Sequence, residues 1–469
     1  MTETHESAHE HTASRIASSV WKVAMVVSLG SFMSQMDATL VNVSLATIGH
    51  ELDASIATAQ WIVSGYLLAM ALTLPLNGWL VDRMGAKRLY VFCVSTFTFA
   101  SMLCGVSQSI GELIGARVFQ GLVAGLLAPM AQMMIGRVAG KNMERVMGYA
   151  ALPILLGPIL GPVLAGAILA HSRWPWLFFI NVPVGVLGVA LAVRLLPRDA
   201  APSQTRPFDG PGFALISPGL VALVYGLQNA TQSEGRWSLL AACALLAGFL
   251  RHSLRKNGAA LIDVRIFADR TFRIAAMTQC FANGILFGRV FAVPLYLIAG
   301  CGLTASQAGW PVAAIGVGMM CSFVLLGFLT THFGCRAVAA GGALLALLGS
   351  LALVWMAGHA YSPLWIVACL FVSGVGQGTI SVPAISAAYA SMPKARLAMA
   401  NTALNIAQRI GGPIATTLLS MVIAMSMHGL SGARPRDFVA AFVALAAFHA
   451  LCLASALRLP LSVQHANEA

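Results

Sequence analysis

The chain has 469 residues, of which 58% are hydrophobic and only 9% charged. A soluble domain carries about 25% charged residues, so a soluble globular fold is excluded, and a mean hydropathy of +0.81 points to a polytopic membrane protein. The net charge of +12 comes in short basic clusters between apolar stretches rather than in one stripe, which sets orientation in a bilayer and argues against a nucleic-acid partner.

Residues 1–20 are polar and lack the short apolar core and small-residue cleavage site of a signal peptide. His5, His9 and His11 beside Glu6 and Glu10 read as part of a solvated cytoplasmic tail rather than a metal site. The nine cysteines are single, with no CxxC and no metal-ligand spacing. They are expected to be packing residues, with no disulfide framework and no bound metal.

Windows of about 20 residues per crossing mark six spans near 21–44, 60–80, 89–108, 112–135, 146–169 and 176–196. Two more follow near 211–229 and 237–254, then six near 274–299, 307–330, 337–357, 363–388, 398–425 and 438–458. The expected fold is all-α. A six-helix bundle over 21–197 and another over 274–459 are joined by a linker, 198–273, that holds two inserted helices, and 460–469 forms a second tail. The eighth span is the weakest, because only Trp237 to Leu250 is cleanly apolar before Arg251. If it did not cross, the basic segment from Arg251 to Arg273 would lie outside, so charge favours crossing. Most of the 28 Lys and Arg residues then fall on one side. The opposite loops hold only Arg173, Arg236, Arg434 and Arg436, which puts both termini in the cytoplasm.

Asp37 stands in the middle of the first apolar span and is the one acid that falls inside the hydrocarbon. An ionisable residue there costs roughly 2.5 to 3.5 kcal/mol on insertion scales, which makes it a functional residue by default and the candidate proton carrier by elimination. Arg117 lies in the fourth span. At 1.5 Å per residue the two depths agree within roughly 3 Å, so a direct or water-bridged pair is expected. Two readings stand: a proton-trading pair and a static ion pair holding two helices together.

The two sets of six contain a repeat. Gly78-Trp-Leu-Val-Asp82-Arg83-Met-Gly85-Ala-Lys87-Arg88 follows the second span of one set, and Gly327-Phe-Leu-Thr-Thr-His332-Phe-Gly334-Cys-Arg336 the second span of the other. Repeated halves with a site between them near the midplane are how transporters are built. The first of these stretches resembles the loop motif of the major facilitator superfamily. Leu113-Ile-Gly-Ala-Arg117-Val-Phe-Gln120-Gly121 is similar to that family's fourth-helix motif, whose arginine is associated with proton coupling. Gly148, Gly157, Gly161-Pro162 and Ala165-Gly166 are similar to its antiporter motif, with Ala165 where the family has glycine, and the resemblance implies export.

Met36 to Val43, Trp174 to Gly185 and Ile262 to Phe272 resemble stretches of the fourteen-helix drug:proton antiporter branch, of EmrB/QacA type. That resemblance implies alternating-access efflux of hydrophobic or amphiphilic drugs across a bacterial inner membrane, with the proton gradient in place of any cofactor. Protons, a small hydrophobic substrate and the lipid bilayer are the expected partners, and a periplasmic adaptor is a further candidate that would have to grip short outer loops.

Arg289 and Arg409 are further bases within spans, and no acid in the second set offsets them. With Asp37 and Arg117 they leave the membrane region cationic, which disfavours permanent cations and suits neutral or weakly acidic compounds. The alternative is that both guanidiniums are satisfied by carbonyls or snorkel. The other cavity candidates are Gln35, Trp61, Tyr66, Gln120, Gln279, Asn283, Tyr296, Gln377 and Asn405. With no P-loop, zincin motif or catalytic triad, an ATP-driven pump or membrane enzyme is disfavoured. Export of an endogenous metabolite or lipid-like acid is the second functional reading, and a transport-inactive sensor or scaffold the third.

Overall fold

The computed structural model describes residues 16–199, 207–256, 260–359, 362–393, 396–426 and 434–461. The amino-terminal histidines and the last eight residues lie outside them. Fourteen apolar helices run through the described residues. The first set is α1 (Ser18–Glu51), α2 (Ala57–Met84), α3 (Ala86–Val106), α4 (Ile110–Ala139), α5 (Met143–His171) and α6 (Trp176–Leu195). The inserted pair is α7 (Gly210–Gln228) and α8 (Ser233–Arg255). The second set is α9 (Arg270–Gly300), α10 (305–333), α11 (335–357), α12 (Pro363–Ala390), α13 (Leu397–Ser426) and α14 (Pro435–Ala456). The eighth helix runs 23 residues, or about 34 Å at 1.5 Å per residue, long enough to cross the hydrocarbon.

Local chemistry sets several boundaries. Ser109 accepts from the Glu112 amide at the start of α4, and Asp269 accepts from the Phe272 amide at the start of α9. Thr304 and Gln307 form a reciprocal capping box at the start of α10. Gly85 and Gly334 end the second span of each set with φ of 86° and 77°, a left-handed backbone that a side chain disfavours. The sequence repeat is thus also a repeat of backbone geometry. At Gly85 a side chain would also meet the Asp199 carboxylate, which accepts from the Lys87 and Arg88 amides at 2.9 and 3.1 Å and so caps α3. Lys87 Nζ in turn reaches the Val193 and Leu196 carbonyls at the end of α6, each at 2.7 Å. The loop motif therefore ties the second, third and sixth helices together.

The two sets meet at the end of the bundle that carries the basic loops. Asn401 of α13 donates to the Pro129 carbonyl of α4 at 2.8 Å, and Asn405 donates to Gln132 at 3.1 Å. Glu144 of α5 accepts from Ser386 of α12 and from the Cys335 thiol at the start of α11. Gly78 brings α2 against the Ala398 carbonyl, and Gly148 brings α5 against the Phe323 carbonyl. The inserted pair lies along α2 and α13 and bridges the two sets toward their opposite end, where Tyr225 of α7 stacks on Trp61 of α2 and the Leu227 carbonyl accepts from Thr417 of α13.

Asp209 anchors the insert just before α7. It accepts from Lys256 and His252 at 2.8 Å each and from the Leu261 and Gly212 amides at 3.0 and 3.2 Å. Burial pushes its carboxyl up, but the hydrogen bonds from Lys256, His252 and the two amides outweigh burial and hold it at about 2. A carboxyl lowered on folding stabilises the fold above its unfolded value, about 3.9, and loses that stabilisation as pH falls through about 2. Asp209→Asn is expected to lower the melting temperature at neutral pH, with the difference from wild type vanishing toward the acid end of a pH series of thermal unfolding curves.

Candidate functional site: a buried ion pair at the core of the first six-helix set

Five helices, α1, α2, α3, α4 and α6, meet around the Asp37–Arg117 pair. Its carboxylate and the Arg117 guanidinium are both fully buried, with Nη1 of Arg117 2.5 Å from Oδ2 of Asp37. The other carboxylate oxygen accepts from Asn181 Nδ2 of α6 at 2.8 Å and from Gln120 Nε2 of α4 at 3.4 Å. Ser101 of α3 accepts from the same two amides, at 3.3 Å and 2.7 Å. Arg117 is held in turn by the Ile62 carbonyl at 3.3 Å and by Gln120 Oε1 at 2.5 Å. The Tyr66 ring lies 4.0 Å and the Phe178 ring 5.8 Å from its guanidinium carbon, a cation–π sandwich that supports the charge where water cannot. Tyr66 is fixed by a 2.9 Å hydrogen bond to Ser34.

The arrangement has a chemical consequence. A buried charge pair survives only when each partner's remaining donors and acceptors are satisfied, and here both oxygens of the acid and most of the guanidinium are. Protonating Asp37 removes the charge that holds Arg117, so one proton changes the interactions of α1, α3, α4 and α6 at once.

Close helix packing brings Asp37 into place. A Cβ on Gly157 of α5 would stand 3.2 Å from the Met36 amide and from Gln35 Cβ, and one on Gly161 would stand 2.6 Å from Thr39. The glycines of α5 therefore form a groove that seats α1 on both sides of Asp37. Ala165, the departure from the family pattern, is fully buried against the same helix. Nothing lies within 4 Å of a Cβ on Gly166. The side chain of Pro162 lies outside the described residues. Gly161→Val is expected to cost about 1–3 kcal/mol through overpacking and to impair transport, whereas Gly166→Ala should change neither; thermal unfolding in detergent compares them.

The other sequence candidates disperse. Gln120 and Tyr66 join the ion pair. Gln35 is exposed beside Gly157, and Trp61 stacks on the insert. Gln279 and Gln377 donate to the Ser381 and Ala282 carbonyls, at 2.6 and 2.9 Å, and so tie α9 to α12. Asn283 is half-buried, and its Oδ1 would lie 3.3 Å from a Cβ on Gly412 of α13. Tyr296 packs between Phe438 and Phe442. Asn405 bridges the two sets. Arg289 is buried against His449, whereas Arg409 is half-buried, within electrostatic range of Tyr66, and makes no hydrogen bond or ion pair among the described residues. In the loop motif, Asp82 and Arg83 occupy the last turn of α2, with Arg83 over the Trp79 ring at 5.5 Å.

Two residues of the site escaped sequence reasoning. Ser101 is a small polar residue in an apolar span and carries no signal of its own. Asn181 sits inside the Trp174 to Gly185 stretch, whose resemblance to a family motif was the available sign.

Comparison with known proteins identifies the family. The Major Facilitator Superfamily profile matches residues 27–416 and 274–467. The multidrug resistance protein B homolog of Mycobacterium tuberculosis is 33% identical over 412 residues, covering 86% of this chain and 76% of that protein. The putative multidrug resistance protein MdtD of Serratia proteamaculans is 28% identical over 433 residues, covering 89% and 87%. Among solved structures, the proton:xylose symporter XylE superposes with a TM-score of 0.67 at 14% identity over 94% of this chain and 95% of its own. The human organic anion transporter MFSD10 superposes with a TM-score of 0.66 at 14% identity, over 94% and 99%. Those two likenesses speak to fold alone. With fourteen apolar helices, a repeated pair of six-helix sets and a relative at this level of identity, the chain is a multi-pass membrane transporter, not an enzyme, and belongs to the major facilitator superfamily.

Proposed function

We propose that the protein exports hydrophobic or amphiphilic drugs across the bacterial inner membrane in exchange for protons, with Asp37 as the proton carrier and Arg117 as the partner that reads its charge state. The observation that carries this reading is the fully buried Asp37–Arg117 pair, whose acid is linked to α3 and α6 by Ser101 and Asn181. The two sets are joined at the basic end, the arrangement expected of a state open to the outside, and opening around the buried pair would admit a proton to Asp37. Its arrival frees Arg117 and loosens the first set for the inward-facing state. The driving force is about 2.3 kcal/mol per charge per 100 mV, plus the pH gradient.

Arg409 supports the expected charge of the substrate. As a half-buried guanidinium without a partner among the described residues, near Tyr66 and therefore near Arg117, it favours neutral or weakly acidic compounds over permanent cations. Arg409→Gln is expected to weaken export of weakly acidic amphiphiles about ten-fold relative to cationic ones. Side-by-side transport assays in everted vesicles measure this, and an equal loss for both classes would remove the charge argument. The multidrug names of the relatives favour drugs over an endogenous metabolite.

A further inference from the structure

The second six-helix set buries a charged centre of its own. Arg289 of α9 is 1% exposed and His449 of α14 is fully buried, and Nη2 of the guanidinium lies 2.7 Å from Nε2 of the imidazole. Nδ1 of His449 is 2.8 Å from the Leu445 carbonyl and 3.4 Å from Ser350 Oγ of α11. These are the first, third and sixth helices of the second set. Their counterparts α1, α3 and α6 supply Asp37, Ser101 and Asn181 to the first. The register agrees as well, since Ser350 follows Gly334 by the same number of residues as Ser101 follows Gly85. Each half of the molecule therefore holds a buried ionisable centre in the same three-helix corner.

Arginine has five donors and no acceptor. Nε2 of His449 must therefore accept and carry no proton, while the ring's single proton sits on Nδ1 and is donated to Leu445. A proton on Nε2 and the hydrogen bond from Arg289 exclude each other. We propose that His449 is a second proton-binding residue of the exporter, in competition with Arg289 for one ring nitrogen. This deepens, and rests on, the proton-driven reading above.

The surroundings favour a proton over other ions. Arg289 is the charged group that α9 turns toward His449, and from α11 Ser350 is the side chain hydrogen-bonded to it among the described residues. On α14 itself, Cys452 faces the Thr278 carbonyl of α9. From α13, Leu419 packs on the same turn, and Tyr296 lies two turns further along α9 against Phe438 and Phe442. Among the described residues no carboxylate pairs with either group, and Nε of Arg289 has no partner. An imidazolium beside this guanidinium would be repelled with nothing nearby to offset it, so protonation must move α9 against α14. A Cβ on Gly288, next to Arg289, would stand 2.8 Å from Leu419 and 3.5 Å from Leu445. α9, α13 and α14 therefore pack closely beside the pair.

Nuclear magnetic resonance of isotope-labelled histidine nitrogens in the full chain, reconstituted in lipid nanodiscs, tests this without a transported compound. His449→Gln assigns the signal, and His449→Asn assigns it if the first variant fails to fold. The expected spectrum shows the proton on Nδ1 at about pH 8 and, because burial and the Arg289 charge both oppose a second ring proton, both nitrogens protonated only at a lower pH than the exposed histidines of the same chain. Arg289→Met removes the competitor and should produce the same conversion at roughly ten-fold lower proton concentration. A ring that stays neutral in wild type down to the lowest pH at which the protein remains folded overturns the proposal, and that titration decides even if Arg289→Met does not fold. Identical titration of wild type and Arg289→Met also overturns it, as would a His449 signal that responds to replacing chloride by gluconate at constant pH, which would make the centre an anion site. Because the readout is His449 itself, an unchanged drug gradient in Asp37→Asn alongside the expected spectrum would sink the Asp37 reading and leave this one standing.

Discussion

Asp37→Asn is expected to abolish efflux against a gradient while leaving downhill exchange of the same compound intact. Asparagine copies the shape of a protonated aspartic acid and can still accept from Asn181 and Gln120, which bond to Asp37 in the wild type. Arg117 loses its counter-charge but keeps its contacts to Ile62, Gln120, Tyr66 and Phe178, so the protein should still fold, with a lowered melting temperature. What disappears is the cycle of proton loss and gain. For one proton exchanged per neutral molecule, 100 mV supports roughly a 50-fold gradient, from about 2.3 kcal/mol at about 1.36 kcal/mol per decade. The mutant should fall to no gradient. Steady-state drug distribution in energised vesicles reads the first part, and tracer exchange without a gradient reads the second.

Arg117→Ala should do more damage to the fold. It leaves Asp37 buried with its charge uncompensated, which typically costs about 3–5 kcal/mol, against a total stability of about 5–15 kcal/mol for a folded domain. The loss includes the stacking on Tyr66 at 4.0 Å. The expected outcome is a sharply lower melting temperature and little protein in the membrane. Combining Arg117→Ala with Asp37→Asn should recover stability but not coupled transport, because the double variant no longer buries a lone charge. If the two losses simply add, the pair is not coupled as described.

The legible part of this molecule was written in its apolar periodicity and its exceptions. The helix break at Gly334 fell between the spans expected at 307–330 and 337–357 because a left-handed glycine follows the same residue pattern as Gly85. Asp37 and Arg117 stood out because charges are rare in such helices, and counting residues from the span ends put them at one depth. The amide and hydroxyl partners were less legible. Ser101 and Asn181 resemble the many small polar residues that bridge helices, and only tertiary packing selects them. Arg289 was visible and its partner was not, because a single histidine in a late helix gives no sign of which neighbour it meets. Several aromatic and amide residues that looked equally suited to a cavity serve packing between helices, since Trp61 faces Tyr225 and Gln279 faces the Ser381 carbonyl.

A proton traded for substrate at Asp37 leaves the protein when the compound binds. Proton release on compound binding, followed with a pH-sensitive dye in weakly buffered detergent solution, tests it most directly with wild type and Asp37→Asn side by side. The panel should span cationic, neutral and weakly acidic amphiphiles. Wild type is expected to release protons with the neutral or weakly acidic members, and Asp37→Asn to lose that release. Release of undiminished size from Asp37→Asn would rule out Asp37 as the carrier and move the exchanged proton to another group.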